Sequence, residues 1–258
     1  MHETLRFIHI SDTHIGPDES FELYGQKPAD RLRQLVRHIN AETHFVPAFI
    51  LHTGDVTYDP DPDAMGLAAE ILADFNYPVY YARGNHDDPD AMRKYLSGLP
   101  PGTGRVNYSF AVNGLEFIVL DSFGKVQPQG YLETGQLDWL RRQCEQSTAE
   151  RLVIVLHHLP AQTGNAWLDT HMLIENRQAL FDALAPFQQR ICGGFFGHVH
   201  FPATVYREGL LWSSTVAAFN EFSFPNDSMA NVISRPGGGF SQVTISSDQV
   251  WVSHHTLP

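Results

Sequence analysis

The first third of the chain alternates short apolar runs with amphipathic segments, and this order limits its fold more than any other feature. The apolar runs occupy residues 5–10, 45–51 and 77–82, and the segments with helical spacing occupy 29–42 and 64–75. The pattern predicts strand, helix, strand, helix, strand, which is typical of parallel β-α-β units. Because ligand sites in such sheets lie at the carboxyl ends of the strands, we expect Asp12, Asp55 and Asn85 to converge.

The remaining two thirds of the chain are richer in strands. Asn113-Gly114 lies between two strand-like runs and is a strong hairpin signal. Further strands are predicted at 151–156, 190–196, 203–206, 210–214, 240–245 and 250–254, and helices at 136–144 and 169–186. The sequence contains no internal repeat, low-complexity tract or linker. It therefore predicts one domain over residues 1–258, built on two sheets.

Five polar clusters each follow a predicted strand. They are Asp12-Thr13-His14, Gly54-Asp55, Gly84-Asn85-His86-Asp87, His157-His158 and Gly197-His198-Val199-His200. A lone aspartate or histidine at a strand end is usually a cap or turn residue, but five such clusters in order favour a metal site. Oxygen and imidazole ligands suit Mn, Fe, Zn or Co. If the D-x-H and H-x-H segments are extended, the two named side chains of each segment lie on the same side of the backbone.

The ordered set D-x-H, G-D, G-N-H-D, H-H and G-H-x-H resembles the calcineurin-like metallophosphoesterase superfamily over roughly residues 6–215. The resemblance implies an α/β fold, a four-layer α-β-β-α sandwich with two mostly parallel or mixed sheets flanked by helices. It also implies two divalent metal ions, from among Mn, Fe, Zn and Co. The ligands of one ion would be Asp12, His14, Asp55 and His200. The ligands of the other would be Asp55, Asn85, His157 and His198, with Asp55 as the bridge.

The same resemblance implies hydrolysis of phosphodiesters by attack of a metal-bridging hydroxide. Asp55 and His86 are the expected catalytic residues, and His86 would face the substrate and assist the leaving group. Asp87 is expected to hydrogen-bond an imidazole, and Gly84 to permit a tight turn. His158 is expected to have a structural role rather than to bind metal directly.

The chain's length and the G-N-H-D form resemble the bacterial class III cyclic-nucleotide phosphodiesterases and related glycerophosphodiesterases. The implied substrate is a cyclic nucleotide such as cAMP or a small glycerophosphodiester. A phosphomonoesterase, including a protein phosphatase, uses the same metal core and stays open. A non-catalytic scaffold is disfavoured because every ligand position keeps a competent residue. The loops 18–27, 160–167 and 217–227 are expected to shape specificity, and Phe219, Phe222 and Phe224 to be core or dimer contacts rather than a nucleobase platform.

The composition narrows the set of partners. With a net charge of −12, the chain is unsuited to gripping a phosphate backbone, so we expect a small-molecule phosphodiester and no nucleic-acid polymer. The cysteines, Cys144 and Cys192, form no disulfide framework, which fits a reducing compartment. The amino-terminal residues lack a signal-peptide pattern, and no apolar run approaches a membrane span. A cytoplasmic location without membrane contact is therefore predicted, and a homo-oligomer stays open.

Overall fold

The computed structural model describes residues 4–223 and 233–257. The strands are β1 (Leu5–Ile10), β2 (Ile50–His52), β3 (Val79–Tyr81), β4 (Tyr108–Val112), β5 (Leu115–Val119), β6 (Arg151–Val155), β7 (Ile191–Phe196), β8 (Thr204–Arg207), β9 (Leu210–Ser214), β10 (Asn220–Ser223), β11 (Ile233–Pro236), β12 (Gly239–Ile245) and β13 (Val250–Thr256). The helices are α1 (Pro28–Ala41), α2 (Pro62–Leu72), α3 (Pro89–Tyr95), α4 (Thr134–Gln146), α5 (Ala166–His171) and α6 (Arg177–Leu184), followed by a 3₁₀ segment, Ala185–Arg190.

Two large mixed sheets form the centre of the molecule. The first has the order β13-β12-β1-β2-β3, in which β1, β2 and β3 are parallel and β12 and β13 are antiparallel additions. The second has the order β4-β5-β6-β7-β9-β8, with four parallel central strands and antiparallel strands at both edges. A small hairpin, β10–β11, stands apart from both. The parallel centres bring the carboxyl ends of β1, β2, β3, β6 and β7 to the site described below.

Aromatic and aliphatic side chains fill the space between the two sheets. Phe7 stacks on Phe49 with ring centroids 4.9 Å apart, and it meets Phe117 and Phe195 edge-on at 5.6 and 5.2 Å. All four rings are almost completely buried. Separate apolar clusters pack α1, α2 and α3 on one sheet and α4, α5 and α6 on the other. The expected α-β-β-α layering is thereby confirmed.

The helices α1 and α2 follow from local sequence signals. The predicted apolar face of α1, which includes Leu32, Leu35 and Ile39, is buried against the first sheet. Asp61 begins α2 by accepting a hydrogen bond from the backbone of Asp63 at 2.8 Å. None of the helices in the described ranges has the length and apolar character needed to cross a membrane.

The prediction of one helix over 169–186 is wrong, because extended backbone interrupts it. Leu173 forms a parallel bridge with Leu159, and Ile174 forms one with Gly130. Both apolar side chains are buried there, so pairing with Leu159 and Gly130, which lie in loops, replaces the helical hydrogen bonds of that turn. The helical pattern therefore yields α5 and α6 instead of one long helix.

The hairpin β10–β11 is an element that the sequence patterns did not indicate. Its first strand, Asn220–Ser223, falls in the segment 217–227 that was expected to be a loop. Phe219 is fully buried, as expected of a core residue. Phe222 is half-buried beside the site, and Phe224 lies outside the described residues.

Candidate metal centre

The predicted ligands converge in a buried pocket between the carboxyl ends of the two sheets. One group of potential ligands consists of Asp12, His14 and His200, and their ligating atoms lie within 4.8 Å of one another. His14 Nε2 lies 3.0 Å from His200 Nε2 and 4.0 Å from Asp12 Oδ1, and His200 Nε2 lies 3.5 Å from the same oxygen. These residues follow β1 and β7, so the group draws on both sheets.

A second group surrounds Asp55 at the end of β2. His157 Nε2 lies 3.2 Å from Asp55 Oδ2, 3.1 Å from His198 Nδ1 and 3.2 Å from Asn85 Oδ1. Asp55 Oδ2 is also 3.7 Å from His14 Nε2 in the first group. The carboxylate of Asp55 therefore lies within 3.7 Å of imidazole nitrogens in both groups.

The ligand segments are not extended. Asp12, His14, Asp55, His198 and His200 all have positive φ angles, of 55°, 46°, 54°, 72° and 59°. The period-two explanation for the convergence of D-x-H and H-x-H is therefore wrong. These side chains converge because the backbone turns through left-handed conformations, which are uncommon for residues other than glycine and cluster at functional sites.

Gly84 is needed for close packing. We expected it to permit a tight turn, but its backbone is not in the left-handed region that would require glycine. Its φ is not among the positive values that the described glycines show. A Cβ atom at this position would lie 2.1 Å from Asp55 Oδ1 and 2.2 Å from Asp55 N. Gly84 therefore lets the G-N-H-D segment lie directly against the central carboxylate.

His86 stands at the edge of the ligand groups and is half-buried. Its backbone N–H donates to Asp55 Oδ1 at 2.9 Å. Its Nδ1 contacts the carbonyl oxygen of Tyr58, and its ring lies 5.0 Å from that of His14. A carbonyl oxygen can only accept, so Nδ1 carries the hydrogen and Nε2 keeps its lone pair.

Within the described residues Asp87 hydrogen-bonds to Thr57 and Gly84 and to no imidazole, so the expected role for it is wrong. Its carboxylate accepts hydrogen bonds from the backbone N–H groups of Thr57 and Gly84, at 3.0 and 2.9 Å. Burial, followed by the nearby Asp55 carboxylate, raises the pKa of Asp87 to about 6. Asp87 thus ties the segment after β2 to the segment after β3.

Several buried polar residues that the sequence did not single out support the ligands. His157 Nδ1 donates to the carbonyl oxygen of Thr53 at 2.7 Å, and His200 Nδ1 lies 3.0 Å from Asn220 Oδ1. Beneath them, His9 Nε2 contacts Thr53 Oγ1 at 2.9 Å and His52 Nε2 contacts Thr13 Oγ1 at 3.1 Å. His9 and His52 had been expected to be ordinary strand histidines, and only tertiary contacts distinguish them.

His158 lies outside the groups of potential ligands, unlike its neighbour His157. The hydroxyl of Ser122 accepts from the backbone N–H groups of both histidines, at 3.3 and 3.2 Å. The Ser122 hydroxyl hydrogen is then free to be donated to His158 Nδ1, which lies 2.8 Å away. Ser122 thus fixes the turn that presents His157.

The electrostatic balance of the pocket leaves most imidazoles neutral. Burial lowers the pKa values of His14, His198 and His200 below their ordinary range. Burial also lowers the pKa of His157, but the Asp55 carboxylate outweighs it and raises the value to about 9. Burial raises the pKa of Asp55, yet His157 outweighs this effect and holds it well below its usual range.

The donor set fits divalent metal ions. Two pairs of imidazole nitrogens face each other at 3.0 and 3.1 Å, and each pair can share only one hydrogen, so lone pairs stay available. In the described part of the chain, neither Asp12 nor Asp55 pairs with a lysine or arginine. The neutral imidazoles of His14, His198 and His200, an amide oxygen, and carboxylates that pair with no lysine or arginine are ligands that transition metals bind.

A cavity of about 380 Å³ opens above these ligands. Its lining includes His86 and the side chains Leu23, Tyr24, Tyr58, Pro128, Trp167, Met172 and Phe222. The described lining contains no lysine or arginine. A larger cavity of about 640 Å³ lies beyond Phe222, which borders both spaces.

Comparison with known proteins identifies the class. Residues 5–202 match the family model for calcineurin-like phosphoesterases, so the chain belongs to that family. It is 31% identical over 193 residues to the 3',5'-cyclic adenosine monophosphate phosphodiesterase CpdA of Pseudomonas aeruginosa, covering 75% of this chain and 68% of that protein. The CpdA protein of Escherichia coli K12 is 31% identical over 201 residues, covering 76% and 70%.

Solved structures share the fold at low sequence identity. A dimetal phosphatase from Danio rerio superposes with a TM-score of 0.71 and 16% identity, covering 98% of each chain. The purple acid phosphatase PPD1 from yellow lupin gives a TM-score of 0.61 and 13% identity, covering 95% of this chain and 50% of its own. The chain thus shares the fold of these two phosphatases.

Proposed function

We propose that this protein hydrolyses small phosphodiesters, with cyclic nucleotides such as cAMP as the leading candidates, at a centre of two divalent metal ions. Asp12, His14, Asp55 and His200 would hold one ion. Asp55, Asn85, His157 and His198 would hold the other. Ions bound there would supply the Lewis acidity that offsets negative charge at the phosphoryl group.

The observation that carries the choice of substrate is the lining of the site cavity. Its described residues include one carboxylate, that of Asp55, several aromatic and aliphatic side chains, and neither lysine nor arginine. Without the ions, the buried Asp55 would repel any phosphate. With them, a diester with one negative charge and two less polar substituents matches the lining better than a monoester with two charges.

His86 is the residue best placed to assist the leaving group. Because Nδ1–H is committed to the Tyr58 carbonyl, Nε2 is the atom that would take up a proton from water and pass it to the departing alkoxide. The backbone bond from His86 N to Asp55 keeps the ring next to the ligand groups. The names of the CpdA relatives support a cyclic-nucleotide substrate.

The substrate proposal is tested by comparing four compounds with one metal-loaded preparation. The compounds are cAMP, bis(p-nitrophenyl) phosphate, glycerophosphocholine and p-nitrophenyl phosphate, each assayed with Mn²⁺ and with EDTA. We expect kcat/KM for at least one natural diester to exceed that for the monoester tenfold or more, and no turnover with EDTA. A higher kcat/KM for the monoester would contradict diesterase function, and full activity in EDTA would contradict the metal centre.

A further inference from the structure

The hairpin β10–β11 reaches the candidate metal centre at one imidazole, that of His200. His200 Nδ1 lies 3.0 Å from Asn220 Oδ1 in the hairpin. On the opposite side of the ring, Nε2 lies 3.5 Å from Asp12 Oδ1 and 3.0 Å from His14 Nε2. The two nitrogens of His200 therefore meet different surroundings, one the hairpin and one the group of potential ligands.

Asn220 is itself fixed in place. It is fully buried, and its Nδ2 donates to Ser234 Oγ on β11 at 3.1 Å. Two residues along β10, the ring of Phe222 stacks on His200 with centroids 4.3 Å apart and an angle of 3° between planes. The backbone N–H of Phe222 also donates to the carbonyl oxygen of His200, at 3.3 Å. The hairpin thus contacts His200 at three places: the face of the imidazole ring, the backbone carbonyl and Nδ1.

The hydrogen bond to Asn220 decides which nitrogen of His200 carries the hydrogen. An amide oxygen only accepts, so a bond to Asn220 Oδ1 requires the hydrogen on Nδ1. A neutral imidazole has one N–H, and Nε2 is then left with a lone pair directed at Asp12 and His14. A bond of this kind to the outer nitrogen also orients a ligating ring.

We propose that Asn220 is a positioning residue that sets the tautomer and ring orientation of His200 for metal binding. The proposal rests on the proposed function, since it takes His200 to be a metal ligand. If the Asn220 amide were flipped, its NH₂ group would donate to His200 Nδ1, and the hydrogen of the neutral imidazole would then lie on Nε2. Removing Asn220 would then strengthen metal binding, so the sign of the effect separates the two arrangements.

The test is a titration of metal-free protein with Co²⁺, followed by calorimetry and by the visible absorption of the bound ion. Asn220→Ala removes the acceptor, and Asn220→Asp keeps an acceptor of similar size. Asn176→Ala is the matched control, because Asn176 also makes two hydrogen bonds, with the backbone of Leu132, away from the centre. Circular dichroism checks that each variant is folded.

We expect Asn220→Ala to weaken the binding of one Co²⁺ about 10- to 100-fold and to alter its absorption spectrum. Asn220→Asp should bind both ions within about threefold of the wild-type affinity, and Asn176→Ala should match the wild type. If Asn220→Ala does not fold, Asn220→Leu takes its place, because leucine has nearly the same volume and no acceptor.

Two results would overturn the role of Asn220 alone. One is wild-type Co²⁺ affinity and spectrum in the folded variant without an acceptor, and the other is tighter binding in that variant. A wild-type protein that binds no Co²⁺ would instead overturn the proposed metal centre and the role of Asn220 with it. The wild-type titration thus distinguishes failure of the inference from failure of the function on which it rests.

Discussion

Asn85 and His86 are neighbours in the chain but face different parts of the site. Asn85 Oδ1 lies 3.2 Å from His157 Nε2, within the second ligand group. His86 contacts Tyr58 and lines the cavity, while its backbone holds Asp55. One turn after β3 can therefore contribute both to metal binding and to the chemical step.

This division of roles predicts different effects for substitutions at His86 and Asn85. We expect His86→Ala to lower kcat about 10²- to 10⁴-fold with both ions retained, because it removes the proton donor only. Asn85→Ala should instead lose affinity for one ion. The measurements are kcat on the best diester and the metal content after dialysis.

The exposed His44 supplies the control for this pair, and His44→Ala should leave both quantities unchanged. Equal loss of metal in the Asn85 and His86 variants would contradict the division of roles.

His9 gives a prediction about pH, since burial first, and then the nearby His254 and His52, lower its pKa to about 3. An unfolded histidine has a pKa near 6.5, so protons favour the unfolded state and the contribution to stability is lost as pH falls below about 6.5. Between pH 7.5 and 5.5 this loss is about 1.4 kcal/mol for one such histidine.

Between pH 7.5 and 5.5 we expect the free energy of unfolding to fall by about 1.4 kcal/mol less in His9→Gln than in the wild type. Glutamine keeps a polar group near Thr53. Urea unfolding in EDTA at the two pH values measures this difference. His44→Gln is the control, since that side chain is exposed. The same pH dependence in wild type and His9→Gln would show that the buried ring does not hold its neutral form.

At the scale of elements, the site depends on how tightly the segments after β2 and β3 are packed. A methyl group at Gly84 would overlap the Asp55 carboxylate, whereas one at Gly135 in α4 would meet no described atom within 4 Å apart from the backbone of its own helix. We therefore expect Gly84→Ala to weaken metal binding at least tenfold, and Gly135→Ala to leave it unchanged. Metal titration of both variants tests this, and unchanged affinity in Gly84→Ala would contradict the close-packing role.

Much of the element order was predictable because a short continuous apolar run marks a strand buried on both faces, and apolar residues at helical spacing mark a helix buried on one face. The strands β1 and β6 and the helix α1 show this directly. The interruption between α5 and α6 was not predictable, because Leu173 and Ile174 have helical spacing and pair as strands only through partners distant in sequence.

The candidate site was predictable only in part, for a related reason. Residue type and order indicated the candidate ligands, because few other functions require D-x-H, G-N-H-D and G-H-x-H in one chain. The left-handed backbone of Asp12 and His198 left no local signal, since neither residue is glycine. Asn220 and Ser122 act through tertiary contacts, and a lone polar residue in a sequence does not reveal its partner.

At the scale of the whole molecule, the ligand groups join the two sheets. Asp12, His14 and Asp55 follow strands of the first sheet, whereas His157 and His200 follow strands of the second. Bound ions would therefore connect the two sheets across the aromatic core. A ligand that binds only the folded state stabilises it, by about 2.7 kcal/mol at a free concentration 100 times its Kd.

We accordingly expect Mn²⁺ at 100 times its Kd to raise the free energy of unfolding by about 2.7 kcal/mol per site, relative to protein in EDTA. Urea unfolding with and without Mn²⁺ measures the difference. Asp55→Asn, which weakens the shared ligand, should show a much smaller increase. An equal increase in this variant would place the stabilising ions elsewhere.

The most direct test of the proposed centre is a crystal structure of the Mn²⁺-loaded protein with anomalous scattering recorded at the manganese edge. We expect two anomalous peaks per chain, both in contact with the carboxylate of Asp55, one also beside Asp12, His14 and His200 and the other beside Asn85, His157 and His198. A single peak, or peaks away from Asp55, would contradict a two-metal centre built from these seven residues.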